Sequence, residues 1–226
     1  MEKLDAFISL ADLFNEHGYS LYLVGGSVRD YLLLNSINDL DVVTDAIPDE
    51  IESFYQEKAT YTFKRFGAVT LYHQGFRFDL TTLRKEDGYI DKRHPNKIVF
   101  VKDLKEDVNR RDFTLNALYM DKNLKVYDFV NGLSDLNNKL LRMIGDSDKR
   151  IKEDPLRILR AIRFQLTFDF NMDEELIKAI NDNISLIKCL RKEKIIEEIK
   201  KMNKDKKDLI PVFDKFNILY LLDMVE

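Results

Sequence analysis

Cysteine is all but missing from the chain. Cys189 stands alone, so no internal disulfide can form, and a small secreted scaffold held by disulfides is excluded. Histidine is nearly as scarce: His17, His73 and His94 are scattered, and with a single thiol they do not make a tetrahedral zinc set. Only 8 Gly and 4 Pro are present and no short period recurs, which excludes collagen-like and low-complexity chains. No apolar run approaches the roughly 18 residues needed to cross a bilayer. The N-terminal Met1-Glu-Lys-Leu-Asp-Ala-Phe has no basic stretch followed by an apolar one, so no signal peptide is expected. A charge excess of either sign is also lacking, since 36 basic and 40 acidic side chains leave a net charge of −4. A nucleic-acid partner must then be met by a local basic patch and not by a uniformly basic surface. What is present, 226 residues that are 45% apolar and 34% charged, suffices for one or two globular domains with a real core. The expected compartment is the cytoplasm.

Apolar residues recur at helical spacing over 2–17, and His17-Gly18 ends that helix. A short apolar strand, 20–24, runs straight into Gly25-Gly26 and then a second helical pattern over 27–34. A strand is expected at 40–44, and Pro48 opens a helix over 48–57. The segments 68–73 and 76–83 flank Gln74-Gly75, a hairpin signature. The polar run 84–96, with Gly88 and Pro95, reads as a mobile loop. A short strand at 98–101, a helix at 102–110 and strands at 113–121 and 126–129 follow. Beyond about 132 strand alternation stops, and helices are expected at about 147–153, 155–168, 173–188, 191–202 and 207–224. The boundary is placed near 140. The lysine-rich stretch 191–207 reads as a solvated helix face and is also the best candidate for contact with an RNA backbone.

Asp39-Leu40-Asp41 lies at the expected strand 40–44, where a period of two turns both carboxylates to one face. Neighbouring carboxylates repel unless a cation sits between them, and a hard divalent ion binds through one or two carboxylates together with substrate phosphates. Asp-x-Asp recurs by chance in so acidic a chain. Asp146-Ser147-Asp148, after Gly145 and before a helix, reads instead as a cap. The setting distinguishes the first triplet: Gly25-Gly26 lets a phosphate approach the backbone, and Arg29 adds a fixed charge one turn later. Asp79, on the strand from Phe76, faces away from Phe76, Phe78 and Leu80. It is either a solvent-facing acid or the third member of a cup for metal ions. On the helix after Pro155, Arg157, Arg160 and Arg163 form one stripe whose mutual repulsion a bound polyanion or paired acids would relieve. Asp154-Pro155 also has a plain reading as helix cap and first helical residue.

Four segments in order, Val24-Gly-Gly-Ser-Val-Arg-Asp30, Asp39-Leu-Asp41-Val-Val-Thr44, Arg110-Arg-Asp-Phe-Thr-Leu-Asn-Ala117 and Glu153-Asp-Pro-Leu-Arg-Ile-Leu-Arg-Ala-Ile-Arg-Phe164, resemble the motifs of bacterial class II tRNA nucleotidyltransferases. These are the CCA-adding enzymes of the polymerase-β superfamily, and bacterial poly(A) polymerases share the same head. The resemblance implies an α+β nucleotidyltransferase head, a mixed sheet with helices, over 1–140, followed by an all-helical neck over 141–226. The body and tail domains of the family would be absent. It implies addition of C and A to the tRNA 3′ end from CTP and ATP with release of pyrophosphate. Asp39 and Asp41 would hold Mg²⁺, with Asp79 a further catalytic candidate. Gly25, Gly26, Arg29, Arg110, Asp154, Arg157, Arg160 and Arg163 would contact the nucleotide, with Asp154 and Arg157 reading its base. The run Arg84–Lys97 would correspond to the family's flexible loop, needed for the switch to A addition. An A-adding enzyme or poly(A) polymerase, a minimal nucleotidyltransferase acting on another RNA, and an inactive RNA-binding paralogue stay open as alternatives.

Overall fold

The computed structural model describes residues 2–89 and 95–225. The described residues form two compact units, residues 2–87 with 95–134, and residues 88–89 with 135–225.

The first unit is built on a seven-stranded sheet. Helix α1 (Glu2–Glu16) buries Ala6, Phe7, Leu10, Ala11 and Phe14, a stripe at the spacing of one helical face. A polar chain also anchors it, for Ser9 Oγ lies 3.1 Å from His73 Nε2 and His73 Nδ1 lies 3.0 Å from Glu57 Oε1. Strand β1 (Leu21–Val24) leads through Gly25 into α2 (Gly26–Leu32), and β2 (Leu40–Thr44) into α3 (Pro48–Phe54), with Pro48 at its first turn as expected. The strands β3 (Ala59–Thr60), β4 (Ala68–His73) and β5 (Phe76–Thr82) follow. Gln74 and Gly75, at φ 48° and 83°, make the tight turn of the β4–β5 hairpin that their sequence signalled. Strands β8 (Tyr119–Met120) and β9 (Val126–Tyr127) complete the sheet, whose order is β3-β4-β5-β2-β1-β8-β9. Five of its ladders are antiparallel, and β2 with β5 is parallel. Leu23, Val42, Leu71, Phe78 and Leu80 are buried in its core.

Two expectations for this unit need correction. The run 84–96 read as a mobile loop holds β6 (Arg84–Tyr89) and the start of β7 (Pro95–Phe100), whose later residues are the strand expected at 98–101; the two form a separate two-stranded sheet, and residues 90–94 of that run lie outside the described residues. Charged side chains that look like loop material serve here as pairs, since Arg84 Nη2 lies 2.7 Å from Glu86 Oε1 and Lys85 Nζ 2.7 Å from Glu106 Oε1. The strand expected over 113–121 is a short 3₁₀ turn, Thr114–Asn116, before β8. The preceding helix is also short, α4 (Leu104–Asp107) continuing as 3₁₀ over Val108–Arg110.

Helix α5 (Gly132–Asn137) leads to the second unit, which contains α6 (Ser147–Glu153), α7 (Leu156–Phe168), α8 (Glu174–Asn183), α9 (Lys192–Lys201) and α10 (Lys206–Lys215). The helical expectation holds except for one two-residue parallel ladder, β10 (Leu140–Leu141) with β11 (Asn171–Met172). Helix α7 carries an arginine stripe yet buries Leu156, Ile158, Leu159, Ala161, Ile162 and Phe164, so it is the core helix of this unit.

Candidate functional site

The Gly-Gly turn and the Asp-x-Asp strand start meet on one face of the sheet. Gly25 has φ 63° and ψ −124°, a conformation that side chains with a Cβ avoid. A Cβ placed on Gly26 would lie 3.5 Å from Arg29 Nη2 and 4.0 Å from Asp41 Oδ2, so the bare backbone stands beside a guanidinium and a carboxylate. Ser27 then locks the acidic strand in place. Its hydroxyl donates to the Asp39 carbonyl at 2.8 Å and accepts from the Asp41 N–H at 2.9 Å. Asp39 precedes β2 and is exposed, Leu40 is buried, and Asp41 opens outward again, so the alternation that places both acids on one side holds.

Asp41 lies opposite Asp79 in the parallel register of β2 and β5. Burial, and then the charges of Asp39 and Asp79, push the Asp41 carboxyl up to about 6, against the pull of Arg111 and Arg29. Asp79 has cationic company of its own: its Oδ1 accepts from Arg77 Nη2 at 2.8 Å and from Thr70 Oγ1 at 3.0 Å. Among the described residues no three His, Cys, Asp or Glu side chains converge as a metal-binding set. The three-acid cup is therefore not formed, because Asp79 is turned to Arg77 and Thr70. The pair Asp39 and Asp41 is still a hard-oxygen donor set whose repulsion a divalent cation would relieve, so those two residues fit such an ion together with phosphate oxygens and water.

A cavity of about 440 Å³ opens over these groups, lined among others by Gly25, Asp41, Thr60, Thr62, Phe63, Thr70, Arg77, Asp79, Arg110 and Arg111. Asp107, fully buried, organises its arginine wall. Asp107 Oδ1 accepts from Arg110 Nε at 2.8 Å and from the Arg84 N–H at 3.1 Å, while Oδ2 pairs with Arg111 Nη2 at 2.8 Å and accepts from the Tyr119 hydroxyl at 2.9 Å. Burial alone would raise Asp107, but Arg111 and Arg110 outweigh it and hold the carboxyl at about 2. Burial lowers Arg110 from its ordinary value; Arg111 is raised because Asp107 and Tyr119 more than offset the same cost. Arg29 is buried too, donating from Nη1 to Asn116 Oδ1 at 2.7 Å and from Nη2 to Asp30 Oδ1 at 2.8 Å.

The remaining candidates belong to the second unit. Asp154 Oδ1 accepts from the Leu156 N–H at 3.1 Å, a capping contact at the start of α7. Arg157 is only 5% exposed. Its Nη1 donates to the Arg150 carbonyl at 2.5 Å and lies 3.4 Å from Glu153 Oε2, which also takes Arg150 Nη1 at 2.7 Å. Arg163 Nε donates to Oε2 of the buried Glu198 at 2.9 Å, and the Arg160 guanidinium lies 6.0 Å from the centre of the Phe164 ring. Paired acids are thus present beside the arginine stripe. In the lysine-rich stretch, Glu197 takes Lys194 and Lys201 at 2.6 and 2.7 Å, and these two hydrogen bonds pull its carboxyl down to about 2. Arg191, Lys192 and Lys200 are exposed.

Ser27, Arg111 and Asn116 were not among the residues singled out in the sequence, whereas Asp107, three and four positions before Arg110 and Arg111, is the salt-bridge partner that their plain structural reading expects. Ser27 and Arg111 lie inside motifs quoted for their neighbours, and Asn116 follows Arg110-Arg111-Asp112 in the same motif; only the fold reveals the partners of Ser27 and Asn116.

This arrangement defines a class. Residues 21–142 match the family model described as poly A polymerase head domain, and the chain belongs to that family. It is similar to the CCA-adding enzymes of Staphylococcus haemolyticus (43% identical over 195 residues, 86% of this chain and 48% of that protein) and Staphylococcus epidermidis (44% over 185 residues, 82% and 46%). Among solved structures it is similar to the Bacillus stearothermophilus CCA-adding enzyme in complex with CTP, at a TM-score of 0.81 and 31% identity, over 88% of this chain and 48% of that one. It also resembles the Thermotoga maritima CCA-adding enzyme complexed with tRNA, at 0.77 and 26%, over 96% and 51%. The chain spans about half the length of the curated relatives it matches. No helix among the described residues is long and apolar enough to cross a membrane.

Proposed function

We propose that the chain is the catalytic head and neck of a template-independent RNA nucleotidyltransferase that adds C and A to tRNA 3′ ends from CTP and ATP, releasing pyrophosphate. The head is residues 1–140, the helical neck 141–226, and the setting is the cytoplasm. The observation that carries the reading is Asp41, half-buried and crowded by Asp39 and Asp79 in a cavity that also holds Arg110 and Arg111. The similarity to CCA-adding enzymes supports the choice of substrates.

Asp39 and Asp41 would hold Mg²⁺. When bound, that ion supplies a lowered pKa for the RNA 3′-hydroxyl and charge neutralisation for the triphosphate, as in two-metal displacement. Ser27 keeps the two carboxylates in register through the backbone. Gly25 and Gly26 let a phosphate come close, because no Cβ stands in the way. Arg29, Arg110 and Arg111 present cations whose directions are fixed by Asn116, Asp30 and Asp107, so little reorganisation is needed as negative charge develops on the pyrophosphate leaving group.

Base choice falls to Asp154 and Arg157, with Arg160 and Arg163 as further nucleotide contacts. A carboxylate accepts the exocyclic amine of C or A, and a guanidinium donates to C N3 or A N1. G and U present a carbonyl to the carboxylate and an N–H to the arginine, wrong at both points. Glu153 and the Arg150 carbonyl hold Arg157 in one orientation, which suits a fixed reader. Arg191, Lys192 and Lys200 offer the RNA backbone a basic patch, whose binding would weaken steeply with salt.

The test is incubation with tRNA ending before CCA, given CTP, ATP or both with Mg²⁺. Two CMP and one AMP added in order is the expected product. The poly A polymerase description of the family favours a second reading, in which ATP alone yields long A tails on RNA of any end. Absence of any transfer would refute both.

A further inference from the structure

A single exposed apolar side chain ordinarily means nothing; Leu34, 95% exposed, is such a case. Phe63 differs in its location. Its ring is 62% exposed yet lines the same cavity as Asp41, Asp79, Arg110 and Arg111. Its backbone is also held rigidly. The Phe63 carbonyl accepts from the N–H groups of Phe66 at 2.9 Å and Ala68 at 3.3 Å, and the Tyr61 carbonyl accepts from Lys64 N–H at 3.0 Å. The turn it opens closes at Gly67, φ 75°, whose bare Cα faces Phe100; a Cβ there would meet the Phe100 ring at 2.7 Å. The Thr82 N–H donates to the Gly67 carbonyl at 2.7 Å, and Arg84 Nη1 donates to the Phe66 carbonyl. The backbone that carries Phe63 is thus fixed, and the cavity its flat apolar side chain lines also holds arginines.

We infer that Phe63 is a stacking platform for the base at the 3′ end of the acceptor RNA. This rests on the nucleotidyltransferase reading above and deepens it. Cations for phosphate beside an aromatic face for a base is the pairing that single-stranded nucleic acid selects. The acceptor end, and not the incoming nucleotide, is the occupant because of what each must tolerate. The terminal base of the acceptor is whatever base precedes CCA at the first addition and C at the later two, so a hydrogen-bonding reader set for one base would reject it at some step. Every base has a π face, so a stacking ring accepts them all. The incoming base has to be discriminated, and a phenyl ring cannot do that.

The experiment uses the 226-residue chain, its Phe63→Ala and Phe63→Tyr variants, and tRNA ending before CCA with either a normal or an abasic terminal residue. RNA binding is read by fluorescence anisotropy at low salt, transfer by KM and kcat with CTP, and folding by Tm. Phe63→Ala is expected to weaken binding of the normal RNA and raise its KM by about five- to a hundredfold. The KM for CTP and the Tm should not change, and Phe63→Tyr should keep wild-type values. The abasic end should bind the wild type as weakly as the normal end binds Phe63→Ala, with no further loss in the variant. Unchanged RNA binding in Phe63→Ala, or equal losses for normal and abasic ends, would overturn the stacking role. A raised KM for CTP at unchanged RNA binding would also overturn it and assign the ring to the incoming base. If the wild type transfers nothing but still distinguishes the two ends through Phe63, the nucleotidyltransferase reading falls and the stacking contact stands.

Discussion

Two aspartates, fully buried Asp107 beside the cavity and half-buried Asp41 within it, are shifted in opposite directions. Asp107 is held at about 2 because Arg110 and Arg111, both supplied by the chain, already neutralise it. Asp41 is pushed to about 6 because the groups crowding it most are more acids. The first is a finished piece of structure. The second is a charge the fold tolerates without resolving, and such a charge marks where a cation from outside belongs. The second unit resembles Asp107 in this respect: Arg157 and Arg163 of α7 and the lysines of α9 meet Glu153, Glu198 and Glu197, whereas the Asp39–Asp41 strand start gathers like charges.

The sharpest way to break this comparison is to neutralise each aspartate. Asp41→Asn should lower nucleotide addition by more than about a thousandfold, equivalent to about 4 kcal/mol of barrier, with unfolding in urea unchanged or shifted to higher concentration. Near-normal turnover would show that Asp41 is structural. Asp107→Ala leaves two arginines in a buried wall without their acid, and should cost about 3–5 kcal/mol of stability in the same urea experiment. A loss below 1 kcal/mol would mean the wall is solvated and the comparison void.

Selectivity comes next in size. Removing either member of the Asp154–Arg157 pair should raise incorporation of U and G relative to C and A by about ten- to a hundredfold, the worth of a lost charged hydrogen bond. Single-turnover assays with each nucleotide read this. Should Asp154→Ala lose stability and leave the choice of base unaltered, its contact to the Leu156 N–H is its whole role.

The pH responses should be opposite. Asp41's folded value lies above its ordinary 3.8, so the folded state keeps a proton the unfolded chain has lost, and stability falls as pH rises from about 4 to about 6. Asp107's lies below, so its contribution is full above pH 4 and is lost as pH falls toward 2. Mg²⁺ competes with the Asp41 proton. It should therefore raise Tm at pH 7.5, by about 2–4 °C per kcal/mol of binding, and do little at pH 5. An equal rise at both values would place the ion elsewhere. Smallest of all, Asp146→Ala should cost about 1 kcal/mol and no activity, because Asp146 accepts from the Lys149 N–H at 2.9 Å as a helix cap. This control shows that the other Asp-x-Asp triplet of the chain is structural.

What could be read in the sequence was local. The Gln74-Gly75 turn, Pro48 at a helix start, the helical period over 2–17 and the alternation about Asp41 depend on residues a few positions apart, and each is present in the fold. Asp107 with Arg110 and Arg111 follows helical spacing, at i, i+3 and i, i+4, but Arg84 and Tyr119, thirty-five positions apart, join the same carboxylate, and no spacing rule encodes that. Ser27 was hidden in another way: its hydroxyl does its work on backbone atoms of Asp39 and Asp41, and a serine among glycines gives no sign of that. Charge-rich β6 defeated composition because ion pairs along the strand, such as Arg84 with Glu86, replace the apolar alternation by which strands are recognised, whereas apolar Ile98-Val99-Phe100 of its partner β7 fell within the expected strand 98–101.

The parallel ladder between β2 and β5 also bears on the order of assembly. Antiparallel neighbours such as β4 and β5 join through a two-residue turn and can pair as soon as both exist, whereas the β2–β5 pairing must close a long crossover and pays the greater chain entropy. Chain entropy therefore favours formation of the β4–β5 hairpin ahead of the pairing that sets Asp41 opposite Asp79. On that order the two carboxylates are brought together against a hairpin edge that is already hydrogen-bonded.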